Sequence, residues 1–174
     1  HKEEATEMLS ALCVNAHGLI EPYVGAIMQC LLKELKEAAA EGNSKLVANL
    51  LEAVGHLSEV SGHEMTPFLS DLIPLLVDAI QDHGGGASCL KREHVEQAYR
   101  ALRMVVENTG YGIDLYDRYP LLLPFLIDIL RSTTGDWQQR QQILRCIGTL
   151  GALDPVRFQR LASGTKTDPV SGGD

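Results

Sequence analysis

Residues 47–62 read VANLLEAVGHLSEVSG, and this stretch decides the fold. Its large apolar residues recur at spacings of three, one, three and three: Val47, Leu50, Leu51, Val54 and Leu57. These spacings place the apolar side chains on one face of an α-helix. The stretch then closes on a serine and a glycine, which are typical of a helix C-terminus. It therefore predicts an amphipathic helix that ends near residue 61.

The same pattern occurs three times along the chain. Residues 12–18 (LCVNAHG) and 105–110 (VVENTG) close in the same way, and 45 residues separate Leu12 from Leu57. After each closure comes a proline, at positions 22, 67 and 120, and then a more apolar stretch. Proline is well tolerated in a first helical turn, so each proline predicts the start of a second helix. Residues 147–150 (IGTL) echo residues 54–57 (VGHL) and begin a fourth unit.

A period of about 40–47 residues per helix pair is typical of HEAT and armadillo repeats. The sequence therefore predicts an all-α fold, an α-solenoid of about three and a half antiparallel helix pairs. The predicted units are HEAT repeats at 2–40, 43–83 and 91–132, a flexible loop at 84–90, the first helix of a further repeat at 136–153, and a short turn followed by a disordered tail at 154–174.

The predicted second helices are strongly apolar. Residues 121–127 read LLLPFLI, an apolar surface all round that a stack of repeats would cover on several sides. Pro74 and Pro124 fall within these helices, and an internal proline is expected to kink a helix.

Composition excludes several classes of protein. The formal net charge is -8, which argues against a nucleic-acid scaffold or a binder of anionic membranes. The first 90 residues carry most of the negative charge. No apolar run approaches the ~18 residues of a membrane span.

Four cysteines are far apart with no CxxC pair, and three of them lie in apolar helical patterns: Cys13, Cys30 and Cys146. This usage indicates a reducing, intracellular setting.

No catalytic or metal-binding motif is complete. HGGG at 83–86 resembles an oxyanion-hole stretch, but no GxSxG nucleophile elbow accompanies it. HEMTP at 63–67 has proline where a zincin requires its second histidine. His83, Cys89 and His94 have mixed spacing for a zinc site, and SGTKT at 163–167 lacks the upstream glycine of a phosphate loop. The sequence therefore predicts no catalytic residue, no metal and no cofactor in this chain.

Three residues are candidates for contacts with protein partners. Trp137 begins a predicted helix, and tryptophan is enriched at protein interfaces. Arg140 and Arg145 follow it on the same helix. The alternative for each is a solvated face or packing on the preceding repeat. Because terminal repeats normally need a polar cap, we also expect apolar surface to be exposed at both ends of the stack.

Several short stretches resemble one family. The most specific is GTLGALDP at 148–155; others are GY at 110–111, Tyr116, YPLL at 119–122, EVSGHEM at 59–65 and IEPY at 20–23. Together they resemble the N-terminal HEAT region of the TOR (target of rapamycin) protein kinases over roughly residues 2–155.

The resemblance implies a place within a very large polypeptide. TOR kinases combine a long HEAT solenoid with a helical-repeat domain, a rapamycin-binding domain and a phosphatidylinositol-kinase-related Ser/Thr kinase domain. This chain would be a non-catalytic segment of the solenoid, with ATP and Mg²⁺ bound only in the parent's kinase domain. Its partners would be TOR-complex subunits and the rest of the solenoid, in the cytoplasm or peripherally on endomembranes.

Two other functions are compatible with parts of the sequence. A HEAT scaffold unrelated to TOR, of the phosphatase-scaffold or transport-receptor type, would have the same helix pairs without the GTLGALDP run. A small helical hydrolase would use residues 83–88, and an esterase assay on the purified chain would detect it.

Overall fold

The computed structural model describes residues 1–81, 95–110, 114–132 and 137–163. All regular secondary structure in these ranges is helical, and the fold is the predicted α-solenoid. The predicted loop at 84–90, the set of His83, Cys89 and His94, and the tail from residue 164 lie outside the described residues.

Long helices come in pairs, and a short helix connects the two members of each pair. In chain order the α-helices of the described ranges are α1 Lys2–Asn15, α2 His17–Ile20, α3 Val24–Ala40, α4 Ser44–Val60, α5 Gly62–Met65, α6 Leu69–Gln81, α7 Val95–Thr109, α8 Leu115–Arg118, α9 Leu122–Ser132, α10 Trp137–Leu153 and α11 Pro155–Ala162. Two 3-10 turns, Glu21–Tyr23 and Thr66–Phe68, lead into α3 and α6. Pro22 and Pro67 lie in these turns, as the sequence predicted for the starts of the second helices.

In the first unit the second helix, α3, runs back along the first helix, α1. In the first unit Lys2, at the start of α1, places its Nζ 2.6 Å from Oε2 of Glu34 in the second half of α3. The turn into the next unit is tight: Gly42 has a φ of +70°, which favours glycine. Asn43 then caps α4 by accepting a hydrogen bond from the Leu46 N–H at 3.2 Å.

The first helices α1, α4, α7 and α10 form one continuous layer, and each packs on the next. Neighbours in this layer run parallel. Glu3 pairs with Lys45 at 2.7 Å, and one turn further along Glu7 accepts a hydrogen bond from Asn49 at 3.1 Å. The second helices contact the first helix of the following unit, as α3 does α4 and α6 does α7.

Burial is greatest in the middle of the stack. Eleven of the seventeen residues of α4 are buried, but only two of fourteen in α1 and three of seventeen in α10. The large apolar side chains that are exposed in the described ranges lie mostly near the two ends: Met8, Leu12, Val14, Leu19, Tyr23, Trp137, Leu144, Val156 and Leu161. Apolar surface is therefore exposed at both ends, as the sequence predicted.

Four local details differ from the sequence expectations. Residues 155–162 form helix α11 rather than only a turn, because Asp154 accepts the Arg157 N–H at 2.9 Å as an N-cap and proline occupies the first position. Leu121 is 77% exposed, so the apolar run that it begins is not covered on all sides. Pro74 lies inside α6, whereas Pro124 is the third residue of α9, where its missing N–H costs little. Cys30 is exposed, unlike Cys13 and Cys146.

Candidate protein-docking surfaces

The contact between α4 and α7 shows how neighbouring first helices fit together. Gly55 lies where α7 comes close: a Cβ on Gly55 would be 2.9 Å from Met104 Sδ and 3.6 Å from Ala101 Cα. The long unbranched side chain of Met104 fills the space that glycine leaves. One turn further on, Asn108 donates a hydrogen bond to the Ser58 hydroxyl at 3.3 Å.

A charge pair lies beside this contact. Nη1 of Arg100 in α7 is 3.8 Å from Oε1 of Glu52 in α4. Both side chains are more than one-third exposed, so the pair contributes little stability. Opposite charges still favour this register over one that brings like charges together.

Helix α10 is the counterpart of α4. Both have seventeen residues, and Trp137–Leu153 begins and ends 93 residues after Ser44–Val60. The same shift relates IGTL at 147–150 to VGHL at 54–57. The two helices share a buried side as well: Leu50 and Leu57 are buried, and so are their counterparts Ile143 and Leu150.

The opposite side of α10 is open, and we call it the α10 outward face: Trp137, Gln141, Leu144, Arg145 and Gly148. In α4 the counterparts of Trp137 and Leu144 are buried, with Ser44 5% and Leu51 1% exposed. In α10 Trp137 is 68% and Leu144 45% exposed. Gly148, the counterpart of Gly55, has no atom within 4 Å of where its Cβ would stand. The fold therefore presents a shaped helix-packing surface with nothing packed on it among the described residues.

The structure brings two of the three predicted contact residues together. Trp137 and Arg145 are exposed on the α10 outward face. Arg140 points elsewhere: its Nη1 donates to the Leu130 carbonyl at 3.0 Å. That carbonyl is in the last turn of α9, where helix carbonyls lack intrahelical partners. Arg140 thus joins α10 to the end of α9.

Arg157 joins α11 to α8. Its Nη1 is 3.1 Å from Oδ2 of Asp114 and 2.8 Å from Oδ1 of Asp117, and its Nε is 3.3 Å from Oδ2 of Asp154. The first two carboxylates raise the pKa of Arg157. The pKa of Asp114 is lowered, first by the hydrogen bond from the Asp117 backbone N–H and also by Arg157. This cluster of charges therefore holds α11 against α8.

A second candidate surface is a groove between α6 and the α8–α9 region, with a volume of about 360 Å³. It is lined mainly by apolar side chains: Ile73, Pro74, Val77, Asp78, Arg118, Tyr119, Pro120, Leu121, Leu122 and Phe125. Tyr119, one of the lining residues, donates a hydrogen bond from its hydroxyl to the Leu69 carbonyl at 2.8 Å. Leu121 is 77% exposed at the groove, so a partner's apolar side chain could cover it.

The described residues contain no cluster of three histidine, cysteine or acidic side chains that could hold a metal. His63, of the predicted HEMTP stretch, lies in α5 with its side chain exposed beside Glu64. Burial raises the pKa of the Cys146 thiol to about 12, which makes it a poor nucleophile. Within the described ranges, no helix has both the length and the apolar character that a membrane crossing requires.

Comparison with known proteins places the chain in a family. Residues 113–171 match the family described as the Serine/threonine-protein kinase mTOR domain. The chain is 37% identical to the Serine/threonine-protein kinase TOR of Arabidopsis thaliana over 98% of its own length. It is 38% identical to the protein of the same name from Oryza sativa subsp. japonica over 91% of its length, and 32% identical to the Saccharomyces cerevisiae Serine/threonine-protein kinase TOR2 over 92%.

The chain belongs to the TOR family. It spans 7% of the Arabidopsis TOR protein and 6% of the rice and yeast proteins. The match to the mTOR domain includes α10 and α11, and so it includes the α10 outward face.

Sequence reasoning selected Trp137 and Arg145, which both lie on the α10 outward face, and it paired Gly148 with Gly55. That these residues contact a partner stays a prediction. Sequence reasoning missed the groove, because Val77 and Leu121 lie far apart in the sequence and only the packing of α6 beside α9 brings them together. It also missed the internal role of Arg140, because no local pattern shows that the guanidinium reaches the end of the preceding helix.

Proposed function

We propose that this chain is a non-catalytic scaffold segment of a TOR-type Ser/Thr protein kinase of the phosphatidylinositol-kinase-related class. The observation that carries the proposal is the extent of the match to the Arabidopsis kinase, which covers 98% of this chain but 7% of that protein. A short segment of a much longer kinase, folded as stacked helix pairs, is suited to holding other parts of an assembly in place.

The segment would act through its surfaces. In this proposal the groove beside Leu121 docks TOR-complex subunits, and the rest of the parent solenoid packs on the ends of the stack. Catalysis, with ATP and Mg²⁺, belongs to the kinase domain of the parent polypeptide. The assembly would act in nutrient and growth signalling, in the cytoplasm or peripherally on endomembranes.

The first test is the complete reading frame that contains this segment. We expect it to continue into a phosphatidylinositol-kinase-related catalytic domain. A frame that stops shortly after Asp174 would contradict the proposal and leave a stand-alone helical-repeat protein.

The second test addresses docking, with one groove variant and one matched control in the full-length kinase. Leu121→Asp places a charge in the groove, and Leu19→Asp makes the same change at an equally exposed leucine, 77% for both, outside the groove lining. We expect Leu121→Asp to reduce the companion subunits that co-purify with the kinase severalfold, since burying an unpaired charge at an interface is costly. Leu19→Asp should retain them.

Kinase activity toward a short generic peptide separates docking from folding. Both variants should phosphorylate the peptide at the wild-type rate, because neither residue is part of a catalytic site. If both variants lose the subunits equally, or if neither does, the groove is not the docking surface.

A further inference from the structure

We propose that the α10 outward face seats a further helix of the parent polypeptide, which packs on α10 as α7 packs on α4 and bears an acidic side chain opposite Arg145. This inference rests on the proposed function, because it needs a polypeptide longer than the present chain.

The first support is continuity of an existing interface. The layer of first helices runs α1, α4, α7, α10, and each member packs on the next. Helix α4 is covered on both sides by α1 and α7, whereas α10 is covered by α7 and, among the described residues, no first helix lies on its opposite side. Helices α4 and α10 have the same length and the same spacing of buried apolar residues. The α10 outward face therefore corresponds to the side of α4 on which α7 packs.

The second support is the shape of the surface. At Gly55 the α4 contact receives the side chain of Met104, with Ala101 close by. At Gly148 no described side chain from another helix lies within 4 Å of the position that a Cβ would take, so the corresponding depression is empty. An incoming helix would therefore place a long side chain that is unbranched at Cβ, methionine or leucine, over Gly148, and a small residue three positions earlier. It would also cover Trp137 and Leu144, which are largely exposed here.

The third support is charge. The α4–α7 contact pairs Glu52 with Arg100 at 3.8 Å. The residue of α10 that corresponds to Glu52 is Arg145. This position therefore carries a negative charge in α4 and a positive charge in α10. An arginine on the incoming helix would be repelled, and an acidic residue four positions before its methionine or leucine would be attracted. The expected helix thus carries an acidic residue, a small residue directly after it, and a methionine or leucine three residues further on.

Hydrogen exchange followed by mass spectrometry tests whether a helix packs on the α10 outward face. The exchange of residues 137–153 is compared between the 174-residue chain and the full-length kinase. We expect α10 to exchange at least about tenfold more slowly in the full-length protein, because covering a helix suppresses its local opening. Gly148→Leu should abolish that slowing, since the added side chain fills the depression. In the 174-residue chain the same variant should leave exchange unchanged or slow it, because the space is open and leucine favours helix.

A charge variant tests the acidic partner separately. Arg145→Glu should remove most of the slowing in the full-length kinase, and Arg145→Lys should retain most of it. Both should behave like the wild type in the 174-residue chain. If Gly148→Leu acts as expected and Arg145→Glu does not, the helix seat stands and the acidic side chain is rejected.

Two outcomes would overturn the seat itself. Exchange of α10 that is equally fast in the full-length kinase and in the 174-residue chain would mean that nothing covers the face. Slowing that disappears when the full-length kinase is diluted would mean that a second copy covers it. Neither outcome affects the reading frame or the co-purification of companion subunits, which are the two tests of the scaffold role, so a failure here is distinguishable from a failure of that role.

Discussion

At Gly62 the backbone of α7 comes close to the start of α5. A Cβ at this position would lie 2.0 Å from the carbonyl oxygen of Asn108, and that oxygen cannot move without shifting α7. We therefore expect Gly62→Ala to lower the free energy of unfolding by about 3 kcal/mol, the upper part of the usual range for overpacking. Urea-induced unfolding followed by circular dichroism would measure it.

Gly25 provides the matched control. It lies in α3 and has no atom within 4 Å of its would-be Cβ. Alanine is the better helix former, so Gly25→Ala should raise the free energy of unfolding by about 0.5–1 kcal/mol. Equal effects of the two substitutions would show that the close approach at Gly62 does not constrain the fold.

Tyr116 is a polar link between the third unit and α10. Its buried hydroxyl donates to the Leu150 carbonyl at 2.7 Å, and burial raises the pKa of the phenol. That carbonyl also accepts the Asp154 N–H at 3.3 Å, so Tyr116→Phe leaves it with a partner. We expect a loss of about 1 kcal/mol in the free energy of unfolding, measured by urea unfolding. Tyr23→Phe, at an exposed tyrosine, should change it by less than about 0.5 kcal/mol.

At the scale of elements, the short helix α8 depends on a carboxylate. Asp114 caps α8 by accepting the backbone N–H groups of Tyr116 and Asp117, each at 3.1 Å, and it pairs with Arg157 of α11. The pKa of Asp114 is lowered in the folded chain. A lowered pKa means that the stabilisation is complete above the unfolded value of about 3.9 and is lost as the pH falls through the folded value.

The substitution Asp114→Asn tests this pH dependence. Asparagine is also a good N-cap, so the variant keeps the cap and loses the charge. The wild type should be more stable than the variant at pH 7, and the difference between their urea midpoints should shrink at pH 3. A difference that is the same at both pH values would mean that the charge of Asp114 does not support the α8–α11 contact.

The sequence could predict elements better than their contacts. Spacing of apolar residues was enough to locate α4, and the prolines at 22 and 67 marked the starts of the second helices, because both signals are local. Helix α11 was expected only as a turn, since its eight residues depend on the Asp154 cap and on Phe158 packing against Gly151. The empty depression at Gly148 could not be predicted either, because it is defined only by comparison with the space that Met104 fills at Gly55.

At the scale of the whole molecule, local stability should follow position in the stack. Helices α4 and α7 have neighbours on both sides, whereas α1 and α11 lie at the ends. In repeat proteins stability is approximately a sum over units and their nearest-neighbour interfaces. In the 174-residue chain we therefore expect the amides of α4 and α7 to exchange slowest and those of α1 and α11 fastest. Equal exchange rates in all of these helices would contradict this order.

The parallel layer of first helices also has a mechanical consequence. Its contacts are arranged in series, so a force applied between α1 and α10 passes through every interface in turn. Elements in series carry the same load and add their extensions, and the weakest joint yields first. We therefore expect the layer to stretch easily along the direction from α1 to α10. Its compliance is set by contacts between helices, such as the one between Gly55 and Met104, rather than by the stiffness of any single helix.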